Sequence, residues 1–300
     1  MNLSRKFLAG AILALLPLTG ALACTTSAWT STSGTPLAED PQVNNANNNN
    51  PDNGDVRRYA NNCGLRASAV GDFVTNDTPN DTIYRVRYYA QPTMTAGTAK
   101  IFSATSADAG GGTEIFSVSY DAAADEFDFT ATGATVASAT GIVPDKWYSI
   151  EVLHQSGQTL SVTVTAGAAA NGAAGAVQNI SSVGTVTGTV SSARLGIVDG
   201  AGITGQVFFD EFDSTRSAAT PIGRLRRGDA NNSCITTPAN PGLSVADAVL
   251  VRNEVATATG PTPALVLGQP NFNEDTGTTI ADAVLIRNAV ALGQTACSLP

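Results

Sequence analysis

Lys146–Ala166 reads KWYSIEVLHQSGQTLSVTVTA, two runs whose side chains alternate with a period of two. Tyr148, Ile150, Val152 and His154 share one face of the first run. In the second, Leu160, Val162 and Val164 alternate with Ser and Thr. One apolar and one polar face per run is the pattern of a strand buried on one side. Ser156-Gly157 between the runs has the turn chemistry of a hairpin. The stretch therefore predicts two antiparallel strands resting on a common core.

The same texture extends in both directions. Short alternating runs at 64–69, 82–91, 98–106, 113–121, 125–133, 192–200 and 205–215 are separated by Gly, Asp, Asn and Pro. They predict a mainly β fold over residues 55–216, a two-sheet β-sandwich of the jelly-roll kind. The stretch AGAAANGAAGAVQN at 166–179 is too rich in glycine for a helix and reads as a loop.

The chain opens with Arg5 and Lys6, an apolar run from Phe7 to Leu18, and the small-x-small site Ala21-Leu22-Ala23. That is the layout of a secretion signal over residues 1–23. The run is too short to span a bilayer, and no later segment reaches ~18 apolar residues, so no transmembrane segment is predicted. The expected location is extracellular or at the cell surface. Cleavage would leave Cys24 first. Ala21 stands where a lipid-attachment site carries Leu, so ordinary cleavage is preferred and a lipid anchor at Cys24 is the alternative. Residues 24–54, ending in NNANNNNPDNG, are too poor in apolar side chains to fold alone. From about 31 they read as a flexible spacer, with Trp29 free to dock back onto the sandwich.

Removing residues 1–23 takes away Arg5 and Lys6 and no acids, which leaves 14 basic against 25 acidic side chains, a net charge of −11. An acidic, lysine-poor chain excludes nucleic acid and anionic membranes as natural partners and suits a binder of divalent cations. The four cysteines, 24, 63, 234 and 297, are an even count in an exported chain, which favours two disulfides with three connectivities. Cys24–Cys63 and Cys234–Cys297 are preferred because each keeps within one region. The second would brace the C-terminal region, with an entropic gain of up to ~4 kcal/mol. No pair has zinc-site spacing.

That C-terminal region, 228–300, follows a linker at 217–227 and contains a repeat. Val245–Ala256 (VADAVLVRNEVA) and Ile280–Ala291 (IADAVLIRNAVA) agree at nine of twelve positions. Each follows a stretch rich in side-chain oxygens, GDANNS and NFNEDTG. Hard Ca²⁺ takes oxygen ligands, and a twelve-residue loop supplies them at positions 1, 3, 5, 7, 9 and 12. Asn271, Asn273, Asp275, Gly277, Thr279 and Asp282 meet that spacing. Asp229, Asn231 and Ser233 match positions 1, 3 and 5 of the first loop. Its helix-proximal acid, Asp247, lies 18 residues after Asp229 rather than 11, so the first loop carries a seven-residue insertion beside Cys234.

The tandem unit resembles a type I dockerin, a pair of EF-hand-like loop–helix units. The resemblance implies a small α-helical domain, two Ca²⁺ ions, and docking to a cohesin-like partner. The glycine usual at position 6 is replaced by Thr276, and each loop places only two carboxylates. Both departures point to weak binding, about 10⁻⁴ M or poorer. Ala248, Val251 and Val255 form one helical stripe, and Ala283, Ile286 and Val290 the other; these should pack the helices together. Val249, Leu250, Arg252 and Asn253, with Val284, Leu285, Arg287 and Asn288, are the residues the resemblance assigns to the docking face. The alternatives are that the loops are polar helix starts without metal, with Asp247 and Asp282 as plain helix caps, that the spare apolar side chains rest on the sandwich or on the Cys-clamped terminus, or that the module docks onto another copy of the chain.

The KWYSIEV run and FDEF at 209–212 make the β region similar to concanavalin A-like and laminin-G-like jelly rolls, which implies a glycan ligand. Tyr84, Tyr88, Tyr89, Tyr120 and Trp147 are the aromatics considered for stacking on sugars. Glu126/Asp128 and Glu211/Asp213 are alternating acid pairs that a glycoside hydrolase or lyase would need. The expected third acid is replaced by Ala131 and Arg216, so such pairs read as a wet strand face, and a non-catalytic binding protein is the preferred function. His154, the lone histidine, reads as structural.

Overall fold

The computed structural model describes residues 26–39, 56, 59, 63–132, 134–166, 177–182, 184–219, 221–223, 228–231, 242–257, 272, 279–293 and 295. Its strands are β1 (Ser31–Ser33), β2 (Leu37–Glu39), β3 (Gly64–Ala67), β4 (Phe73–Asp81), β5 (Ile83–Pro92), β6 (Ala96–Ala107), β7 (Gly111–Asp121), β8 (Glu126–Ala131), β9 (Ala134–Thr140), β10 (Tyr148–Gln155), β11 (Ser161–Ala166), β12 (Val177–Ser181), β13 (Val190–Thr204) and β14 (Val207–Thr215). The helices are α1 (Val245–Thr257) and α2 (Ile280–Ala291).

The strands form two seven-stranded sheets, β1-β4-β13-β6-β7-β8-β9 and β12-β11-β10-β5-β14-β3-β2. Every pairing is antiparallel, so the chain is mainly β with two sheets stacked as a sandwich. The hairpin at 148–166 forms in the predicted register, with Ile150 opposite Val164 and Val152 opposite Val162. Gly157 turns it with φ +84°, a conformation that only glycine takes without strain.

Rings from the two sheets interdigitate to make the core. Tyr88 of β5 stacks on Phe102 of β6 with ring centroids 5.2 Å apart, and Phe127 of β8 meets Tyr148 of β10 edge-on at 5.6 Å. The inward residues predicted from the hairpin, Tyr148, Ile150, Val152, Leu160, Val162 and Val164, all belong to this core. His154 also points inward, where Nε2 lies 3.0 Å from the Gly188 carbonyl oxygen. Burial lowers its pKa, against a smaller raising effect of that hydrogen bond.

Two departures from the sequence reading matter. The first concerns the spacer. Ser31–Ser33 pairs with β4, and Leu37–Glu39 pairs with β3, so residues 31–39 add one edge strand to each sheet. Asp72 secures this stretch. It is 3% exposed, and it accepts hydrogen bonds from the Thr35 amide at 2.8 Å and from the Ser68 and Ala69 amides at 3.1 and 3.0 Å. Residues 40–54 lie outside the described residues.

The second concerns the outer face of the second sheet, which is polar in sequence but buried. On one part of it, Tyr59 stacks on Tyr89 at 3.8 Å and meets Trp147 edge-on at 5.9 Å, with Phe208 completing the cluster. On another part lies the segment after β14. Arg85 donates to the carbonyls of Ser217 and Ala218 at 3.2 and 2.7 Å, and forms an ion pair with Glu151 at 2.5 Å. Glu151 in turn accepts from the amides of Ile222 and Gly223 at 3.3 and 2.8 Å. Arg85 lies opposite Leu153 and Arg87 opposite Glu151, so the ion pair is a diagonal cross-strand contact. Residues 217–219 and 221–223, part of the stretch read from sequence as linker, are thus a strap on the sheet.

Candidate calcium and docking site

A core separate from that of the sandwich builds the C-terminal module. Ala230, Leu243, Ala248, Val251, Phe272, Ala283, Ile286 and Ala289 form it. The predicted stripes supply four of these, Ala248, Val251, Ala283 and Ile286, with Val290 partly buried against them. The sequence reading missed Ala230 and Phe272. They occupy position 2 of each loop, which faces the core when positions 1 and 3 turn toward a common centre. Gly228 sits beneath Phe272 with φ +82°, and a Cβ there would come within 2.5 Å of the Phe272 ring.

The two helix-start acids are buried and bonded in parallel fashion. Asp247 and Asp282 are each 0% exposed. Asp247 Oδ1 accepts from the Asn231 amide at 3.1 Å, and its Oδ2 accepts from the Ser244 amide and hydroxyl, both at 2.8 Å. Asp282 Oδ1 accepts from the Phe272 amide at 2.8 Å, and its Oδ2 accepts from the Thr279 amide at 2.7 Å and hydroxyl at 3.2 Å. Thr279 is the N-cap of α2 and closes a capping box with Asp282. One carboxylate thereby ties the start of each loop to the start of its helix. Asp229 is also buried, at 3% exposure.

Of the predicted ligands, Asp229, Asn231, Asp247, Thr279 and Asp282 are described. Ser233, Asn271, Asn273, Asp275 and Gly277 lie outside the described residues. Among the described residues no three His, Cys, Asp or Glu side chains are grouped to hold a metal. The described donors at the loop starts and helix caps are oxygens, the ligand type a hard cation takes, and both oxygens of Asp247 and of Asp282 accept protein hydrogen bonds, as helix caps do. Cys63 is disulfide-bonded. Cys24, Cys234 and Cys297 lie outside the described residues, so neither the Cys24–Cys63 nor the Cys234–Cys297 pairing is described.

On the opposite side of the helices runs a groove of about 290 Å³. Val245, Ala248, Val249 and Arg252 line one wall, and Ile280, Ala283, Val284 and Arg287 the other. Each residue of one wall is the repeat equivalent of one on the other. Val249 and Val284 are 38% and 42% exposed, and Val245 and Ile280 are 57% and 54%. These valines therefore do not rest on the sandwich. Leu250 and Leu285, also assigned to the docking face, instead lean partly into the module core. Asn253 and Asn288 are exposed beside the groove, and Asn253 accepts from Arg252 Nη2 at 3.1 Å.

The aromatics considered for sugar stacking are all in the interior. Tyr84, Tyr88 and Tyr120 are 0% exposed, Trp147 1% and Tyr89 2%. Their alternation marked core, and no sugar reaches them. The acid pairs also fall apart. A β-bulge between Asp210 and Asp213 puts Glu211 at φ +50° and breaks the alternation that would set Glu211 and Asp213 on one face. Glu126 and Asp128 do share the outer face of β8, where Ser138 donates to Asp128 at 2.6 Å. Partial desolvation, then the charges of Asp128 and Asp121, raise the Glu126 pKa.

No protein-family model and no characterised protein matches the chain. Solved structures overlap it in part. The binding domain of botulinum neurotoxin serotype G is 13% identical, with 53% of this chain and 40% of that one covered at a TM-score of 0.37. The receptor binding domain of the C/D mosaic serotype is 8% identical, with 63% and 43% covered at 0.39. A Trypanosoma rangeli sialidase in complex with the inhibitor DANA is 16% identical, with 53% and 26% covered at 0.39. The chain spans about two fifths of the neurotoxin domains and about a quarter of the sialidase. Overlap this partial assigns the chain to no family. No helix among the described residues is long and apolar enough to cross a membrane.

Proposed function

We propose that this chain is an exported, non-catalytic binding protein of the extracellular space or cell surface. It joins a concanavalin A-like jelly roll that takes a glycan to a dockerin-like, EF-hand-like module that takes two weakly bound Ca²⁺ ions. Polysaccharide utilisation or the extracellular matrix is its context. The observation that supports this reading best is the parallel bonding of Asp247 and Asp282. Each repeat buries its position-12 acid where it ties loop to helix, and the two helices leave a groove with matched walls. The exposed valines and arginines of that groove suit a protein partner of the cohesin kind.

Calorimetric titration of Ca²⁺ into the full chain tests the metal. Two sites with Kd of about 10⁻⁴ M or weaker are expected, one lost in Asp247→Ala and the other in Asp282→Ala. At a free concentration of 100 Kd, calcium should stabilise the module by about 2.7 kcal/mol per site. No heat and no thermal shift in millimolar calcium would overturn the metal reading. A glycan array with and without EDTA tests the sandwich.

A further inference from the structure

Half of the large exposed hydrophobics among the described residues, Val245, Val249, Ile280 and Val284, line the groove between α1 and α2. Each wall also carries an exposed arginine, Arg252 or Arg287. Arg252 donates to the adjacent Asn253 side chain at 3.1 and 3.4 Å, and among the described residues neither arginine is paired with a carboxylate. An apolar floor between two such cations suits an apolar knob flanked by acids.

The sandwich of this same chain displays that surface. Asp121 of β7 lies directly opposite Glu126 of β8, and Asp128 follows on the same outer face. Like charges directly opposite each other destabilise a sheet, and among the described residues no arginine or lysine is paired with these three. Partial desolvation first, and then the charges of Asp128 and Asp121, raise the Glu126 pKa. Val143 stands at the same end of the sheet and is 54% exposed. Its backbone is fixed there: the Ile142 amide donates to the Asp125 carbonyl at 2.8 Å, and the Val143 amide donates to the Tyr148 hydroxyl at 2.6 Å. Asp125 is itself exposed, so a fixed apolar side chain borders an acidic turn and an acidic strand pair.

We infer that the groove takes this corner of a second copy of the chain, with Val143 between Val249 and Val284 and the two arginines against the carboxylates. The inference rests on the docking reading proposed above and names the partner. Charge selects the corner over a second groove, because groove-to-groove pairing would gather four arginines. Contact between two different surfaces is heterologous and leaves a groove free at one end and a corner free at the other, so copies add on in an open chain. The net charge of −9 sets copies against each other at long range. At physiological salt the Debye length is about 8 Å, so that repulsion is screened while charges in contact still attract. A groove of about 290 Å³ holds one turn of chain. The contact is therefore smaller than the ~1,200 Å² of stable complexes, and its Kd is about 10 µM or weaker.

Sedimentation velocity of the full-length protein in millimolar Ca²⁺, from micromolar to millimolar protein, measures the association. The mean mass should rise past that of a dimer. Arg252→Glu with Arg287→Glu should weaken association at least about tenfold, and so should Val143→Asp with Glu126→Lys. None of the four side chains is buried, so thermal stability should not change. An equimolar mixture of the two variants combines one intact groove with one intact corner and should stop at the dimer, a result that a two-fold contact does not give. A parent chain that stays monomeric, association that survives in either variant, or a mixture without dimer overturns the second copy as partner, while the docking reading stands. Hydroxyl-radical labelling separates the two claims. Val249 and Val284 should be oxidised in the dilute monomer and protected at high concentration. If they resist labelling in the dilute monomer, the groove is covered and both claims fall.

Discussion

Glu151→Gln probes the strap that holds residues 217–223 to the second sheet. The substitution keeps the size of the side chain and removes its charge. The Arg85 and Glu151 side chains are 10% and 11% exposed, so water cannot easily replace the lost partner. Breaking a buried ion pair from one side costs about 3–5 kcal/mol, mainly through the charge left behind. Arg85 keeps its bonds to the Ser217 and Ala218 carbonyls, which puts the expected loss near the lower end, about 3 kcal/mol. Replacing both partners, Arg85→Met with Glu151→Leu, strands no charge. The double variant should therefore be more stable than the sum of its singles by about 2 kcal/mol. Urea unfolding at pH 7, followed by Trp147 emission, gives the full cycle. Amide exchange at Ile222 and Gly223 should accelerate in Glu151→Gln, since both amides donate to the lost carboxylate. A single-variant loss below about 1 kcal/mol, or additivity in the double variant, would refute the claim that the ion pair holds the strap.

Four other outcomes follow from the same geometry. His154 is buried and its pKa lies below the ordinary 6.5, so the unfolded chain takes the proton first. Its contribution is full above pH 6.5 and declines as pH falls toward the folded-state pKa, and the pH dependence of urea midpoints between 7 and 5.5 should flatten in His154→Phe. Burial raises the pKa of Tyr84, Tyr88 and Tyr148, and burial followed by the Asp125 charge raises Tyr120 to about 12; stability is full below pH ~10 and lost above it, so their 295 nm absorbance should rise with alkaline unfolding rather than near pH 10. Gly228→Ala adds a methyl against Phe272 in a left-handed conformation and should destabilise the helical module by about 2–4 kcal/mol, read by circular dichroism at 222 nm, with the sandwich unchanged. EDTA should lower the melting temperature of the helical module alone, because its core and the sandwich core are separate clusters.

How much was legible depended on whether a local pattern met a local cause. The hairpin at 148–166 was legible because alternation and a Ser-Gly turn agree within twenty-one residues. The helices were legible because a repeated stripe has one period wherever it packs. β1 and β2 were not, since edge strands of three residues in a Thr- and Ser-rich stretch take their stability from Asp72 and from partners far along the chain. The buried outer face of β5 and β10 was also hidden. Arg85, Arg87 and Glu151 are charged side chains whose sequence gives no sign of burial, and the returning strap and the Tyr59 cluster cover them. In the helical module the repeat singled out Asp247 and Asp282, whose burial the structure shows, while Ala230 and Phe272 gave no signal, because single apolar residues in a polar stretch carry no mark of burial.

Where binding can occur then follows from what is already covered. The inner faces of both sheets are spent on the aromatic core. The outer face of the second sheet is spent on the Tyr59 cluster and the strap. Among the described residues, the surfaces left to a ligand of the sandwich are the outer face of the first sheet, where Glu126 and Asp128 lie, and the sheet edges. The strap has a related effect at the other end. A free linker would let the helical module tumble about Thr215, but Arg85 and Glu151 fix the chain as far as Gly223 and Arg87 donates to the Gly223 carbonyl at 3.4 Å. The chain is thereby held to the second sheet as far as Gly223. Residues that composition marks as linker thus belong to the sandwich, held there by Arg85, Arg87 and Glu151.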